Sequence, residues 1–353
     1  MEQFIGCDAH KKFSLFVAMN ERGEYGPGIR VAHVREAMRE FLEGLPAGSK
    51  IALETSGSYY WLVEEFERAG HEAHLAHALT ASRRMEGRHK TDHKDAQGLA
   101  MLLRNGTLPR VWIPPAELRD QREMLRLRMT LVGMRTQVKN RIHGVLMRYN
   151  VLIAAADLYG KRGRNELAAH LAELPSYSRK SVYEQLEMLD FLQLQIADCE
   201  PLLEQILQPN ADRDLLKTLP GVGPILSAVI ALETGTVQRF ASAQHFASYA
   251  GLVPTARQSA GRKRRSQCPE DCNTYLRWAF VEAANVVACQ QDCWREAHVV
   301  KLYQRVRSKS KLHAKAVVAV ARHLAEAAYW MLHKQQVYRA PASNPAAAPS
   351  THG

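Results

Sequence analysis

The stretch Lys90-Thr91-Asp92-His93-Lys94-Asp95-Ala96 places two carboxylates three residues apart at the predicted start of a helix. Residues i and i+3 lie on one face of a helix, so Asp92 and Asp95 can point at one location. A hard divalent cation such as Mg²⁺ binds carboxylate pairs of this kind. Alone, the pattern is more typical of a solvated helix start. It gains weight from acidic residues elsewhere in the chain.

Composition indicates a polyanionic partner. The 353 residues include 47 lysines and arginines against 36 aspartates and glutamates, a formal net charge of +11. Such an excess favours DNA or RNA as partner, and the length predicts two or three domains. We see no apolar run that could span a membrane and no signal-peptide pattern. Six cysteines indicate reduced thiols, so we expect a cytoplasmic, nucleoid-associated protein.

Hydrophobic patterning predicts an α/β domain over residues 1–112. The predicted elements are two strands within 3–19, a helix over 35–44, a strand over 50–53, a helix over 59–69, a strand over 71–76 and a helix over 92–104. Asp8 ends the first strand and Glu54 follows the strand at 50–53. Strand ends and helix starts meet at one edge of an α/β sheet. We therefore expect Asp8, Glu54, Asp92 and Asp95 to converge.

Four carboxylates in one crevice repel each other unless a counter-charge is present. Two Mg²⁺ ions, about 3.5–4 Å apart, would supply it and would clamp the attacking and leaving oxygens of a phosphoryl transfer. Taken singly, Asp8 is typical of a turn-capping residue and Glu54 of a solvated strand end. Their order, their spacing and the basic surroundings together favour a metal site.

The remainder of the chain is predicted to be all-α. Residues 113–210 form a long helical segment with helices over 117–150 and 178–208, which fits an antiparallel hairpin or an intermolecular coiled coil. A buried helix pair within one core fits equally well. Residues 211–338 form a helical C-terminal domain, with further helices at 225–233, 242–249, 273–290 and 311–335. Residues 339–353 are rich in alanine, proline and serine and are predicted to be a disordered tail.

A glycine-rich turn, Pro220-Gly221-Val222-Gly223, lies between two of these helical segments. It predicts the hairpin of a helix-hairpin-helix, in which Gly221 and Gly223 let backbone N–H groups approach a DNA phosphate. Such a contact binds nucleic acid without reading its bases. The alternative is an ordinary glycine-rich connection between helices.

A basic loop follows the motif Gly251-Leu252-Val253-Pro254. It contains Ser259, preceded by Arg257 and followed by four consecutive cations that are also predicted to contact DNA: Arg262, Lys263, Arg264 and Arg265. A serine hydroxyl is a weak nucleophile that needs a base, a metal or cationic stabilisation of its transition state. From the residues alone, Ser259 is an ordinary loop serine.

The motifs together resemble one family. The segments 5–11, 52–59 and 90–96 look like the DEDD motifs of insertion-sequence transposases that have an RNase H-like, Holliday-junction-resolvase-like N-terminal domain. The resemblance continues through 219–224, 249–254 and 275–280 and covers most of the chain apart from the tail. Each motif is unspecific alone, whereas all of them in this order are highly specific.

The resemblance implies a hybrid active site. The family carries a catalytic serine after its G-L-x-P motif, and Ser259 is the matching position, with Ser266 as the second choice. The metal-bound acidic quartet would act with this serine through a covalent phosphoserine–DNA intermediate. The resemblance also implies double-stranded donor and target DNA as substrates, guidance by a structured RNA from the element, and assembly of several protomers (a dimer or a tetramer).

One segment departs from the family pattern. Many members have a basic, glycine-containing stretch where this chain has Cys268-Pro269-Glu270-Asp271-Cys272-Asn273. Cys268, Cys272, Cys289 and Cys293 form two C-x₃-C pairs, and four such ligands could bind zinc. The favoured interpretation is that Cys289 and Cys293 pack on a helix as small apolar residues.

Two other functions stay open at this stage. A Holliday-junction resolvase would share the acidic fold and cut with water, but it needs neither the long helices nor the basic serine loop. A non-catalytic architectural protein would bind nucleic acid through the helix-hairpin-helix. That second alternative leaves the acidic quartet unexplained, because carboxylates on a DNA-facing surface repel phosphate when no metal is present.

Overall fold

The computed structural model describes residues 3–85, 91–206, 210–254, 258–259, 262–263 and 271–339. The chain forms two compact units. The first ends at Ile113 and the second begins at Pro114. Across these ranges, none of the helices combines the length and the apolar content that crossing a membrane requires.

The first unit is built on a mixed five-stranded sheet. Its strands are β1 (Gln3–Ala9), β2 (Phe13–Asn20), β3 (Tyr25–Ala32), β4 (Lys50–Glu54) and β5 (Glu72–Ala76). Their order is β3-β2-β1-β4-β5. The pairs β1–β2 and β2–β3 are antiparallel, whereas β1–β4 and β4–β5 are parallel. This topology is consistent with the RNase H-like domain predicted from the sequence.

Helices cover both faces of this sheet. They are α1 (Arg35–Glu43), α2 (Tyr59–Arg68), α3 (Ala78–Arg84) and α4 (Asp92–Arg104). Side chains alternate along each strand, so Ile5 and Cys7 of β1 pack in the core with α1 and α2. On the opposite face, Phe4 packs in a separate core with Leu99 and Leu103 of α4.

Gly6 sets how closely α4 approaches β1. A Cβ at Gly6 would lie 1.8 Å from the carbonyl oxygen of Ala96 and 2.8 Å from the amide nitrogen of Ala100. The helix backbone therefore lies directly on the strand. With Leu103 near Phe4 and Ala96 over Gly6, α4 runs antiparallel to β1. Its first turn consequently lies at the carboxyl end of β1.

The second unit is almost entirely helical. Its helices are α5 (Ala116–Arg148), α6 (Lys161–His170), α7 (Ser176–Ile206), α8 (Ala211–Leu216), α9 (Pro224–Thr234), α10 (Ala243–Tyr249), α11 (Thr274–Cys289), α12 (His298–Ser310) and α13 (His313–Lys334). A two-stranded hairpin, β6 (Gln258–Ser259) and β7 (Arg262–Lys263), lies between α10 and α11.

The helices α5 and α7 pack along each other and enter two separate cores. At one end, Leu125 and Leu203 belong to the large core that α9–α13 form. At the other end, Val145, Leu167 and Val182 form a small core of their own with α6. The boundary at residue 210 between a helical segment and a C-terminal domain stays a prediction.

Several elements were not predicted from the sequence: β3, α3, α6 and α12. In β3, Gly26, Pro27 and Gly28 read as turn formers. The strand forms nonetheless because it lies at the sheet edge, where proline is tolerated. The predicted disordered tail lies outside the described residues except for Arg339.

Candidate functional site

Strand register places Asp8 and Glu54 at the same edge of the sheet. The last parallel pair between β1 and β4 is Cys7 with Leu53, so the next residue on each strand places Asp8 beside Glu54. Adjacent strands are about 4.8 Å apart. Both carboxylates are on the face of Gly6 and Ala52, which is the face that α4 covers.

The other two carboxylates of the quartet stand in the first turn of α4. Thr91 caps this helix, its hydroxyl accepting a hydrogen bond from the Lys94 N–H at 3.3 Å. Asp92 and Asp95 follow, where the positive end of the helix dipole favours acidic side chains. Asp92 is 56% exposed and therefore accessible to a ligand.

A histidine joins two of these carboxylates. The Nε2 atom of His10 lies 3.2 Å from Asp8 Oδ2 and 3.1 Å from Asp92 Oδ2. The nitrogen is buried, and neither contact is a well-directed hydrogen bond. Among the described residues, Asp8, His10 and Asp92 are the one group of three side chains whose metal-binding atoms all lie within 4.8 Å of each other. Sequence reasoning missed His10, although an Asp-x-His pattern at a strand end could have indicated it.

The electrostatics of Asp8 place Asp95 in the same cluster. Burial raises the pKa of Asp8, and repulsion from Asp95 and Asp92 raises it further, while His10 opposes the rise. A cation between these groups would offset the repulsion. Carboxylate oxygens with one imidazole nitrogen form a donor set that suits a divalent metal. The neighbouring Cys7 points away from this cluster into the core on the opposite face of β1, where burial raises the pKa of its thiol to about 12.

The predicted nucleophile lies in the second unit. The hairpin pairs Ser259 with Arg262, and Gln258 with Lys263. In this backbone register an arginine residue is the partner of the serine. Arg257, Arg264, Arg265 and Ser266 lie outside the described residues.

The chain between α10 and α11 carries the hairpin, and we call it the hairpin segment. Its two ends are hydrogen-bonded to each other, and we call this place its base. The Asn273 N–H donates to the Tyr249 carbonyl at 2.7 Å, and the Asn273 amide donates to the Tyr249 hydroxyl at 3.3 Å. Arg277 donates to the carbonyl of Gly251. Gly251 has a φ of +65°, and a Cβ there would lie 2.6 Å from the Cys272 sulfur. The chain therefore leaves and re-enters the helical core at one place.

A buried carboxylate connects this base to two helices. Glu233 of α9 is 1% exposed and accepts two hydrogen bonds from the Arg126 guanidinium, at 2.8 and 2.9 Å. It also accepts one from Asn273 at 2.9 Å. Arg122 donates to the carbonyls of Leu232 and Glu233. The base of the hairpin segment is thus tied to both α5 and α9.

The two glycines of the predicted helix-hairpin-helix differ in environment. Gly221 has a φ of +78°, and a Cβ there would lie 2.2 Å from the Ala283 carbonyl oxygen. Close packing on α11 therefore requires this glycine. Gly223, the residue before α9, has no atom within 4 Å of the Cβ position and faces open space. Of the pair, Gly223 is the one that a phosphate could approach.

The interpretation of the C-terminal cysteines as packed apolar residues is wrong. Cys289 and Cys293 are exposed, because Cys289 is the last residue of α11 and Cys293 follows in a single 3₁₀ turn. Cys272 is half-buried against Gly251. Cys268 lies outside the described residues.

Comparison with known proteins gives a consistent result over most of the chain. A DEDD transposase profile of the IS110 type matches residues 5–151. A profile of the IS116/IS110/IS902 transposase family matches residues 213–299. The first profile contains the acidic cluster, and the second contains Glu233, the hairpin and Asn273.

Individual relatives agree with these profiles. The chain is 26% identical to a probable family 20 transposase of Pseudomonas aeruginosa, over 72% of this chain and 75% of the relative. It is 27% identical to the putative transposase y4pF/y4sB of Sinorhizobium fredii, over 95% and 85%. It is 25% identical to the transposase of insertion sequence element IS1111A of Coxiella burnetii, over 71% and 68%.

Proposed function

Because the chain belongs to the IS110/IS116 family of insertion-sequence transposases, we propose that it cuts and rejoins DNA to move its own insertion sequence. The observation that carries this proposal furthest is the contact of His10 with both Asp8 and Asp92. It gathers side chains from a strand end and a helix start into one cluster that could hold a cation.

The metal site would comprise Asp8, Glu54, Asp92 and Asp95, with His10 as an additional ligand or orienting group. Mg²⁺ is the proposed ion, since it favours carboxylate oxygens. When bound, it would stabilise the charge that develops on the transferring phosphoryl group. The chain's own contribution is to fix the acids on a strand pair and a helix start, so that the site is formed before DNA enters.

Ser259 is the proposed nucleophile. Its oxygen would attack a DNA phosphorus and lose its proton, forming a serine–phosphate ester as one phosphorus–oxygen bond of the DNA breaks. The departing sugar oxygen would take up a proton. A hydroxyl of a second DNA strand would then attack the ester and regenerate the serine, so the strands are rejoined without an external energy source. Arg262, across the hairpin, would stabilise the phosphoryl charge.

Sequence-independent DNA contacts would come from Gly223 at the start of α9 and from the cations of the serine loop. Backbone N–H groups and arginines of this kind bind phosphates and position the duplex. The choice of target would then come from base pairing to a structured RNA encoded by the element. Recovery of one discrete element-encoded transcript with the purified protein would support this guide, and protein that is active without RNA would refute it.

A homo-oligomer is also proposed, as a dimer or a tetramer. The helix α7 buries Leu189, Leu192 and Ile196 against α5, whereas Met188 and Phe191 are more than half exposed. An apolar stripe of this kind fits a seam between copies. Replacing Met188 and Phe191 with lysine should lower the mass measured by light scattering, and an unchanged mass would place the seam elsewhere.

The central experiment separates the serine from the acids. Ser259→Ala should abolish a protein–DNA adduct that survives denaturation, whereas Ser266→Ala should retain it. The reverse pattern would make Ser266 the nucleophile. Asp92→Asn should stop cleavage while leaving DNA binding nearly unchanged, and chelation of divalent metal should do the same. Cleavage by Asp92→Asn protein at the wild-type rate would refute the metal site.

A further inference from the structure

A cavity of about 490 Å³ opens at the far end of the helical pair, where α5 ends and the chain turns towards α6. We name it the tip cavity. Its floor is apolar and consists of Leu146, Val151 and Leu158, which also belong to the small core at this end. The volume is in the range of ligand sites, roughly 300–1,000 Å³. None of its lining residues belongs to the acidic cluster or to the serine hairpin.

The wall of the tip cavity is held in place by contacts of Tyr159. Its hydroxyl donates to the Lys139 carbonyl at 2.8 Å, and the Lys139 ammonium lies 4.6 Å from the centre of its ring. The His143 ring meets the Tyr159 ring edge-on at 5.6 Å. Asn140 and Asn150 complete the rim with exposed amides, each of which can donate and accept hydrogen bonds.

The surface around the tip cavity is strongly basic. Residues 135–164 contain seven lysines and arginines but one acidic residue, Asp157. Arg141, Lys161 and Arg162 are exposed, and in the described part of the chain no carboxylate lies within ion-pair distance of them. By contrast, Arg164, which is partly exposed on α6, has a partner in Asp190 of α7. A polyanion would neutralise the unpartnered group.

We propose that the tip cavity binds one unpaired base of a single-stranded nucleic acid, with the flanking phosphates on Arg141, Lys161 and Arg162. The apolar floor suits the flat face of a base, and the two asparagine amides suit its hydrogen-bonding edge. A duplex does not fit, because its bases are stacked inside the helix. An acidic peptide would satisfy the cations and the amides, but an acidic side chain offers no flat apolar face to the floor.

Binding by the full-length protein tests the proposal. Fluorescence anisotropy would compare a single-stranded RNA, a DNA of the same sequence and a blunt DNA duplex. The variant Asn140→Ala/His143→Ala removes two cavity side chains without changing the formal net charge. The control Asn165→Ala/His170→Ala removes the same residue types from α6, outside the cavity lining. We expect the cavity variant to bind single strands at least about fivefold more weakly, with duplex binding and the control unchanged.

The cavity variant is expected to fold, since both side chains are exposed. An equal loss for RNA and DNA identifies a base site open to either strand, and a loss for RNA alone adds contact with the 2′-hydroxyl; both support the proposal. Unchanged single-strand affinity would overturn it. Polyglutamate that binds the wild type but not the variant would also overturn it, in favour of a protein partner.

Independently of any variant, a photoreactive base in the wild-type complex should cross-link within residues 139–159, and cross-links found solely elsewhere would refute the site.

Discussion

Replacing Gly6 with alanine tests the link between the fold of the first unit and its acidic cluster. The added Cβ would lie 1.8 Å from the Ala96 carbonyl oxygen, a distance that real Cβ contacts never approach. Because the clash involves helix backbone, no side-chain rotation can relieve it. The helix α4 must therefore move away from β1 by more than 1 Å.

The cost of this substitution follows from two opposing effects. Overpacking of a close backbone contact destabilises a protein by about 1–3 kcal/mol and sometimes more. Alanine at a position that it can adopt normally stabilises by about 0.4–1 kcal/mol through the unfolded chain. Gly57 is the matched control, because no atom of the described chain lies within 4 Å of its Cβ position. We expect Gly6→Ala to be destabilising and Gly57→Ala to be near neutral.

The assay has two measurements. Hydrogen exchange followed by mass spectrometry reports local opening of the peptides that contain residues 92–104, and it should be faster in Gly6→Ala alone. A Mn²⁺ titration followed by electron paramagnetic resonance reports the cluster directly. A displacement of about 1 Å at a catalytic site can cost about 100-fold in activity, so weakened Mn²⁺ binding and slower cleavage should accompany the change. If Gly6→Ala and Gly57→Ala behave alike, α4 does not lie on β1 as described and the geometric argument for the site fails.

Three other predictions concern single side chains. His10→Ala should weaken Mn²⁺ binding more than Mg²⁺ binding, because Mn²⁺ accepts imidazole nitrogen more readily. Equal losses of affinity for the two ions in calorimetric titrations would show that His10 is no ligand. Glu233→Gln should destabilise the second unit by about 3–5 kcal/mol, because it leaves the buried Arg122 and the partly buried Arg126 without their carboxylate partner. In urea unfolding, the double change with Arg126→Met should recover part of that loss, and no recovery would contradict a coupled pair. Burial lowers the pKa of His323 below its ordinary 6.5, so the unfolded chain takes up a proton at higher pH than the folded chain, and stability should fall as the pH drops below 6.5. His323→Gln should flatten that slope in thermal unfolding, and an unchanged slope would contradict this assignment.

Much of the first unit could be predicted because its signals are local. The strands β1, β2, β4 and β5 and the helices α1, α2 and α4 follow from hydrophobic periodicity and turn residues in the sequence. The approach of Asp8 and Asp92 to one place was expected for the same reason, because strand ends and helix starts meet at one edge of an α/β sheet, whereas the place of Glu54 in the site stays a prediction. Gly6 could not be interpreted in this way, since its role depends on a helix that begins some 85 residues later.

The features that were missed depend on tertiary contacts. The strand β3 contains turn-forming residues that become a strand only when paired with β2. The position of His10 between Asp8 and Asp92 depends on the turn from β1 to β2 as much as on its sequence. Likewise, the sequence does not distinguish Glu233 from the rest of the 36 acidic residues, and its role follows from its burial beside Arg126 in the fold. Contacts between residues far apart in the chain produce no periodic pattern in the sequence.

The helix α5 contributes residues to two separate sites, the base of the hairpin segment and the tip cavity. It spans 33 residues, and Arg126, which holds the buried carboxylate beneath the serine hairpin, precedes Lys139 of the tip cavity by 13 positions. At 1.5 Å per residue the two are about 20 Å apart on one rod. A nucleic-acid strand bound in the tip cavity would therefore lie at a distance from the base of the serine hairpin that the length of α5 fixes.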